Sequence, residues 1–179
     1  MNYDEVLGFW FTEITPEQWW RKSADLDRTI TIRFGQIHDA AARCELYEWR
    51  SSARGRLAEI IVLDQFSRNI HRDTPLSFAS DPLSLCLSQE SVSRGTDADL
   101  GPEERCFCYM PYMHSESRAI HEVAVGLFTD LGLESNLDFE LRHKEIIDRF
   151  GRYPHRNAIL SRESTAEEID FLAQPGSSF

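Results

Sequence analysis

The stretch Leu57-Ala58-Glu59-Ile60-Ile61-Val62-Leu63-Asp64-Gln65-Phe66 decides how this chain folds. Ser52, a residue type that starts helices, stands just ahead of it. Leu57, Ala58, Ile60, Ile61, Val62, Leu63 and Phe66 cover almost every direction around a helix. A helix that is apolar all round is a buried one, so other elements must surround it.

Outward from this stretch the punctuation is helical. Asn2 precedes Asp4 and Glu5, then Val6, Leu7, Trp10 and Phe11 at helical spacing. Thr15-Pro16-Glu17-Gln18 is a cap with proline at the first helical position. From Asp25 to about Glu48 the apolar residues Leu26, Ile30, Phe34, Ile37, Ala41 and Leu46 keep a period near 3.6. Thr29-Ile30-Thr31-Ile32 alternates like a strand, but the longer period prevails. Asp81-Pro82 opens a helix that Gly95 closes, and Pro102 opens one expected to break at Pro111. Ser115 is expected to cap a helix ending at Gly132; Asn136 to Phe150 follows, stopped by Gly151. Thr165-Ala166-Glu167-Glu168 is a capping box for the last helix. No second alternating run occurs. The expectation is an all-α fold of about eight to ten helices, without a sheet, whose short loops make neighbours antiparallel.

With 179 residues, 41% of them hydrophobic, the chain is long enough for one core without disulfide or metal staples. Residues 1–173 are expected to form one domain and residues 174–179 a frayed tail. The longest run free of Asp, Glu, Lys and Arg is Cys106 to Ser115, too short to span a membrane. The acidic start Met-Asn-Tyr-Asp-Glu carries no signal-peptide pattern, so a cytoplasmic location is expected. A net charge of -11 repels phosphate backbones, and nucleic-acid binding is not expected. Cys106 and Cys108 form C-x-C, with Cys44 and Cys86 far away, which is not zinc-ribbon spacing. All four are read as buried, reduced thiols. Trp10, Trp19, Trp20 and Trp49 are read as core.

Three polar segments stand out. Asp64 and Gln65 lie inside the most apolar helix, with Arg68 and Asn69 one turn on, then His71 and Arg72. A buried carboxylate is costly unless paired, so Asp64 requires a partner such as Arg68. The second segment runs from Arg149 through Arg152, His155, Arg156 and Asn157 to Arg162, without an acid in between. Arginines lacking neighbouring acids point to an external anion. The third is Tyr109-Met110-Pro111-Tyr112-Met113-His114-Ser115-Glu116. On a helix His114, Arg118 and His121 would share one face. Each segment also has a plainer reading, as a network that caps buried helix ends. Phe66-Ser67-Arg68-Asn69 and Pro154-His155-Arg156-Asn157 echo one another faintly.

Leu63-Asp64-Gln65-Phe66-Ser67-Arg68-Asn69, the 109–116 block and Phe150-Gly151-Arg152-Tyr153-Pro154-His155-Arg156-Asn157 together resemble the bacterial family called domain of unknown function 924. Phe9-Trp10-Phe11, Trp19-Trp20, Trp49 and Ser164 to Glu168 also match, so the resemblance covers roughly residues 3 to 172. It implies a tetratricopeptide-like fold of stacked helical hairpins and no established activity. The chain departs from the family pattern at Ser67 (usually proline), Ser161 (glycine), Tyr153 (phenylalanine) and His121 (glutamine).

Three functions compete. A small-molecule site would use Gln65, Arg68, Asn69, Arg72, Arg152, Arg156, Asn157 and Arg162 to hold a phosphate or carboxylate. His114 or His155 would move a proton, oriented by Glu116 or Asp64. A helical-repeat module would instead clamp acidic peptides. Metal chemistry on His114, Glu116 and His121 lacks H-E-x-x-H spacing, and no metal set is expected. The sequence names no cofactor, substrate or oligomeric state. The small-molecule reading requires Arg68, His114 and Arg156 to meet in the fold.

Overall fold

The computed structural model describes residues 2–177. Among them every regular element is a helix, and none is long and apolar enough to cross a membrane. The chain opens with α1 (Tyr3–Gly8), which runs into a π turn, Phe9–Glu13. Next come α2 (Pro16–Trp19) and α3 (Ala24–Ala42). The interior helix follows as α4 (Ala53–Ile61), a π turn (Val62–Phe66) and α5 (Ser67–Ile70). Then follow α6 (Asp81–Ser93), α7 (Pro102–Met113), α8 (Arg118–Leu131), α9 (Glu134–Phe150) and α10 (Ala166–Leu172).

The residues of the opening stretch are wholly interior. Leu57, Ala58, Ile60, Ile61, Val62, Leu63 and Phe66 are each 0% exposed. Helices α1, α3, α6 and α7 pack around 53–70. Phe66 meets the rings of Phe9, Trp10 and Phe34 at centroid distances of 6.2, 5.6 and 5.0 Å. A buried side chain of this size contributes about 1.5–3 kcal/mol, and interlocked aromatic pairs add to it. At the start of α4 a Cβ on Gly55 would stand 2.1 Å from the Trp49 carbonyl oxygen, so only glycine lets the two backbones meet.

The local caps form as their chemistry dictates. The side chains of Asn2, Ser52 and Thr165 accept from the first-turn amides Asp4 N, Gly55 N and Glu168 N. Glu168 completes its box by accepting from Thr165 N at 2.8 Å.

Five expectations are corrected. Helix α3 ends at Ala42, not near Glu48, because Cys44 takes a left-handed φ of 59°. Leu46 and Trp49 stay buried through the 3-10 turn Tyr47–Ser51, which mimics the helical spacing. Helix α7 passes through Pro111 to Met113, since the buried Tyr109, Met110, Tyr112 and Met113 hold it against the lost hydrogen bond. Helix α8 starts after Ser117 rather than Ser115, which leaves His114 as the cap of α7. Of the tryptophans, Trp20 is 58% exposed and stacks on Phe107; of the cysteines, Cys44 and Cys86 are exposed. At the C-terminus Ser177 is buried and donates to the Leu172 carbonyl, while residues 178 and 179 of the expected tail lie outside the described residues.

Candidate functional site

The π turn Val62–Phe66 sets Asp64, 1% exposed, against the end of α7. Turns of this kind recur at functional sites, where they redirect side chains. The Asp64 carboxylate receives Gln65 Nε2 at 2.6 Å, and its other oxygen lies 2.8 Å from His114 Nδ1. Arg68, one turn on, stands 3.3 Å from the same oxygen and donates to the Asp64 carbonyl at 2.6 Å. Burial alone would raise the Asp64 pKa, but Arg68 and His114 outweigh it and hold the carboxyl well below the usual range. Burial and the Arg68 charge push His114 the other way, toward the neutral ring. An ionised Asp64 has no proton to give, so Nδ1–H of His114 donates. Nε2 then keeps its lone pair as a proton acceptor.

Asp81, at the start of α6, joins the remaining parts. It takes two bonds from Arg68, at 2.9 and 3.1 Å, and one longer bond of 3.3 Å from Arg156. Arg156 also donates to the His114 carbonyl at 3.0 Å. Its guanidinium lies 4.6 Å from the ring centres of both Phe78 and Tyr153. It is 6% exposed, and its Nε–H is buried without a hydrogen-bond partner. Burial and the nearby Arg68 cation lower its pKa. Beside it Arg162 grips Glu116 with bonds of 2.6 and 2.9 Å, and Glu116 also accepts from Tyr153 N.

These groups border a cleft of about 370 Å³. Its polar lining is Asp81, His114, Ser115, Glu116 and Arg156; the rest is Phe78, Ala79, Leu85, Leu160 and three prolines. The carboxylates Asp64, Asp81 and Glu116 balance Arg68, Arg156 and Arg162 in formal charge, one for one. The arrangement sets the Arg156 guanidinium beside His114 on the cleft wall.

Of the residues expected at a site, Asp64, Gln65, Arg68, His114, Glu116, Arg156 and Arg162 come together. Others do not join the cleft. Asn69 and Arg72 bind Asp27 of α3, with Arg72 bonds of 2.5 and 2.6 Å. Arg152 binds Glu168 at 2.6 and 2.8 Å; with that hydrogen bond the Glu168 pKa falls to about 2. Asn157 bridges Ser164, Glu168 and Arg162. His155 lies beside Tyr153, its pKa lowered to about 4 by burial and Arg156. The arginine segment therefore does not lack acids: they arrive from Asp81, Glu116, Glu167 and Glu168, distant in sequence or beyond the run.

Asp81 and Phe78 escaped the sequence reading, which took Asp81 only as a helix start. Glu140 escaped it too. It is 0% exposed and faces His121 at 2.7 Å; its place on the stripe with His143 and Ile147 was the available signal. His121 does not share a face with His114, because the two sit on different elements. Among the described residues no three His, Cys, Asp or Glu side chains are grouped to hold a metal ion.

Fold and cleft define an all-helical protein with a buried arginine, carboxylate and histidine network. The chain belongs to the bacterial family of proteins of unknown function DUF924, whose model matches residues 6–176. It is similar to the solved structure of the protein of unknown function ATU0120 from Agrobacterium tumefaciens, at 38% identity and a TM-score of 0.91, over 96% of each chain. No curated protein matches it.

Proposed function

We propose that the cleft binds a small anionic molecule bearing a carboxylate or phosphate, with Arg156 as its anchor and His114 as proton acceptor. One observation carries this reading: a buried arginine at the cleft wall whose Nε–H is unmet and whose one carboxylate bond among the described residues is long and shared. Desolvated cations of this kind gain most from an incoming anion. The volume of about 370 Å³ lies in the range of small-molecule pockets, which supports a metabolite over a peptide.

A second reading, that the motifs serve only the fold, is favoured for Arg72 and Arg152, whose acids satisfy them from within the chain. The single domain over residues 1–173 and the tetratricopeptide-like stacking belong to this proposal. The stacking is supported by α7, α8 and α9, which pack in consecutive pairs. A cytoplasmic location fits the four free cysteines.

The test is ligand-induced stabilisation. Acetate and inorganic phosphate are titrated against wild type, Arg156→Lys and His114→Gln, following the melting temperature. At least one anion should raise it in wild type, and Arg156→Lys should blunt the rise. A melting temperature indifferent to both anions would overturn the proposal.

A further inference from the structure

The same cleft carries a narrower assignment, which rests on the anion reading above. We infer that its ligand is a monocarboxylate with an apolar body, a short aliphatic or aromatic acid, and that phosphate is excluded.

The positive charge available is a single group. Arg162 is spent, since Nε binds Asn157 and the two terminal nitrogens bind Glu116 and the Tyr153 carbonyl. Arg68 is spent on Asp81 and the Asp64 carbonyl. Arg156, the arginine on the cleft wall, has the most donors to spare of the three. It makes one bond to Asp81 at 3.3 Å and one to a carbonyl, out of five N–H groups. A dianionic phosphate would meet one under-compensated cation while facing Asp81 and Glu116, both on the cleft wall. A singly charged carboxylate matches one guanidinium edge in charge and in planar geometry.

The rest of the wall argues for the body. Pro75, Phe78, Pro82, Leu85, Pro111 and Leu160 present hydrocarbon and no donor of their own. Water against such a surface is displaced favourably by a hydrocarbon chain, at a gain of about fourfold in affinity per buried methylene. His114 shares this wall, beside Arg156.

The experiment titrates the full chain with acetate, butanoate, hexanoate, benzoate and inorganic phosphate, by calorimetry or amide chemical shifts. Leu160→Ser and Arg156→Lys are measured alongside, their folding checked by circular dichroism. Affinity should rise roughly three- to fourfold per methylene from acetate to hexanoate. Phosphate should not bind. Leu160→Ser should flatten the chain-length series, and Arg156→Lys should weaken every acid at least tenfold. Arg156-dependent phosphate binding, with no chain-length effect among the acids, would overturn this inference and leave the anion reading standing. Failure of every anion to bind would overturn both. A chain-length series unchanged in Leu160→Ser and Arg156→Lys would put binding elsewhere and overturn the assignment. The series in wild type decides the matter even where Arg156→Lys does not fold.

Discussion

Arg68 and Arg156 share one carboxylate, Asp81, but unequally: Arg68 holds it by two bonds and Arg156 by one longer bond. Removing either arginine therefore has a different consequence. Arg68→Ala strips Asp64 of its cation inside the core, where Asp64 is 1% exposed, and should cost about 3–5 kcal/mol. Arg156→Ala leaves Asp81 with both Arg68 bonds and should cost about 1–2 kcal/mol. Urea unfolding midpoints measure both. Equal losses would mean that Arg156 is as much a structural strut as Arg68.

Acid should weaken the fold well before ordinary carboxylates titrate. His143 and His155 are lowered to about 3 and about 4, chiefly by burial; His38 and His114 are lowered as well, for the same first reason. An unfolded histidine titrates near 6.5, so between that value and the folded one the unfolded chain binds the extra proton. Stability is then complete above about pH 6.5 and declines as pH falls, by about 1.4 kcal/mol per pH unit each for His143 and His155. Asp64, whose folded pKa is also lowered, adds a loss in the same direction below about pH 4. Denaturation at pH 7, 6 and 5 should show the decline, and His143→Gln should make it shallower by one histidine's share. A flat profile down to pH 5 would contradict the burial of these rings.

The pair His121 and Glu140 should tolerate loss of charge but not loss of shape. His121 Nε2 faces the Ser115 carbonyl at 2.9 Å, so it carries a proton. Nδ1 and the Glu140 carboxyl, 2.7 Å apart, then share one more. Burial raises the Glu140 pKa, and its second oxygen is buried without a partner, which suits a neutral acid better than a carboxylate. Glu140→Gln, whose amide can donate to Nδ1, should cost under about 1 kcal/mol, and Glu140→Ala about 3 kcal/mol or more. Thermal denaturation separates the two, and equal damage from both would show that the charge itself is needed.

Ser161 adopts a φ of 55°, a left-handed conformation that a side chain disfavours. Ser161→Gly should stabilise the protein by about 0.5–1 kcal/mol, read as a rise in melting temperature. No change would mean that neighbouring bonds already offset the strain.

Much of the fold was legible because its signals are local. Ser52, Thr15 and Thr165 announce helix starts by chemistry that acts within four residues, and the apolar circumference of 57–66 announces an interior. The misjudged ends of α3 and α7 depend on packing from elsewhere. Leu46 and Trp49 preserve a helical rhythm after the helix has stopped, and Pro111 is carried by its buried neighbours. At the site the arginines were legible and their partners were not. Asp81 lies 75 positions from Arg156 and 13 from Arg68, and a charge pattern read along the chain registers only neighbours. An apparently unpaired basic run became, for Arg152 and Arg162, a set of closed ion pairs, leaving Arg156 as the cation with capacity.

The π turn at Val62–Phe66 has a consequence for inheritance. A helix advances about 100° per residue, so dropping one residue from this turn would rotate everything after it by that angle. Arg68 would swing off Asp81, and Asn69 and Arg72 would leave Asp27, all in one event. Substitutions along this helix can be sampled one at a time, but its length cannot. The count of residues between Ser52 and Ile70 is thus tied to the bonds that Arg68, Asn69 and Arg72 make.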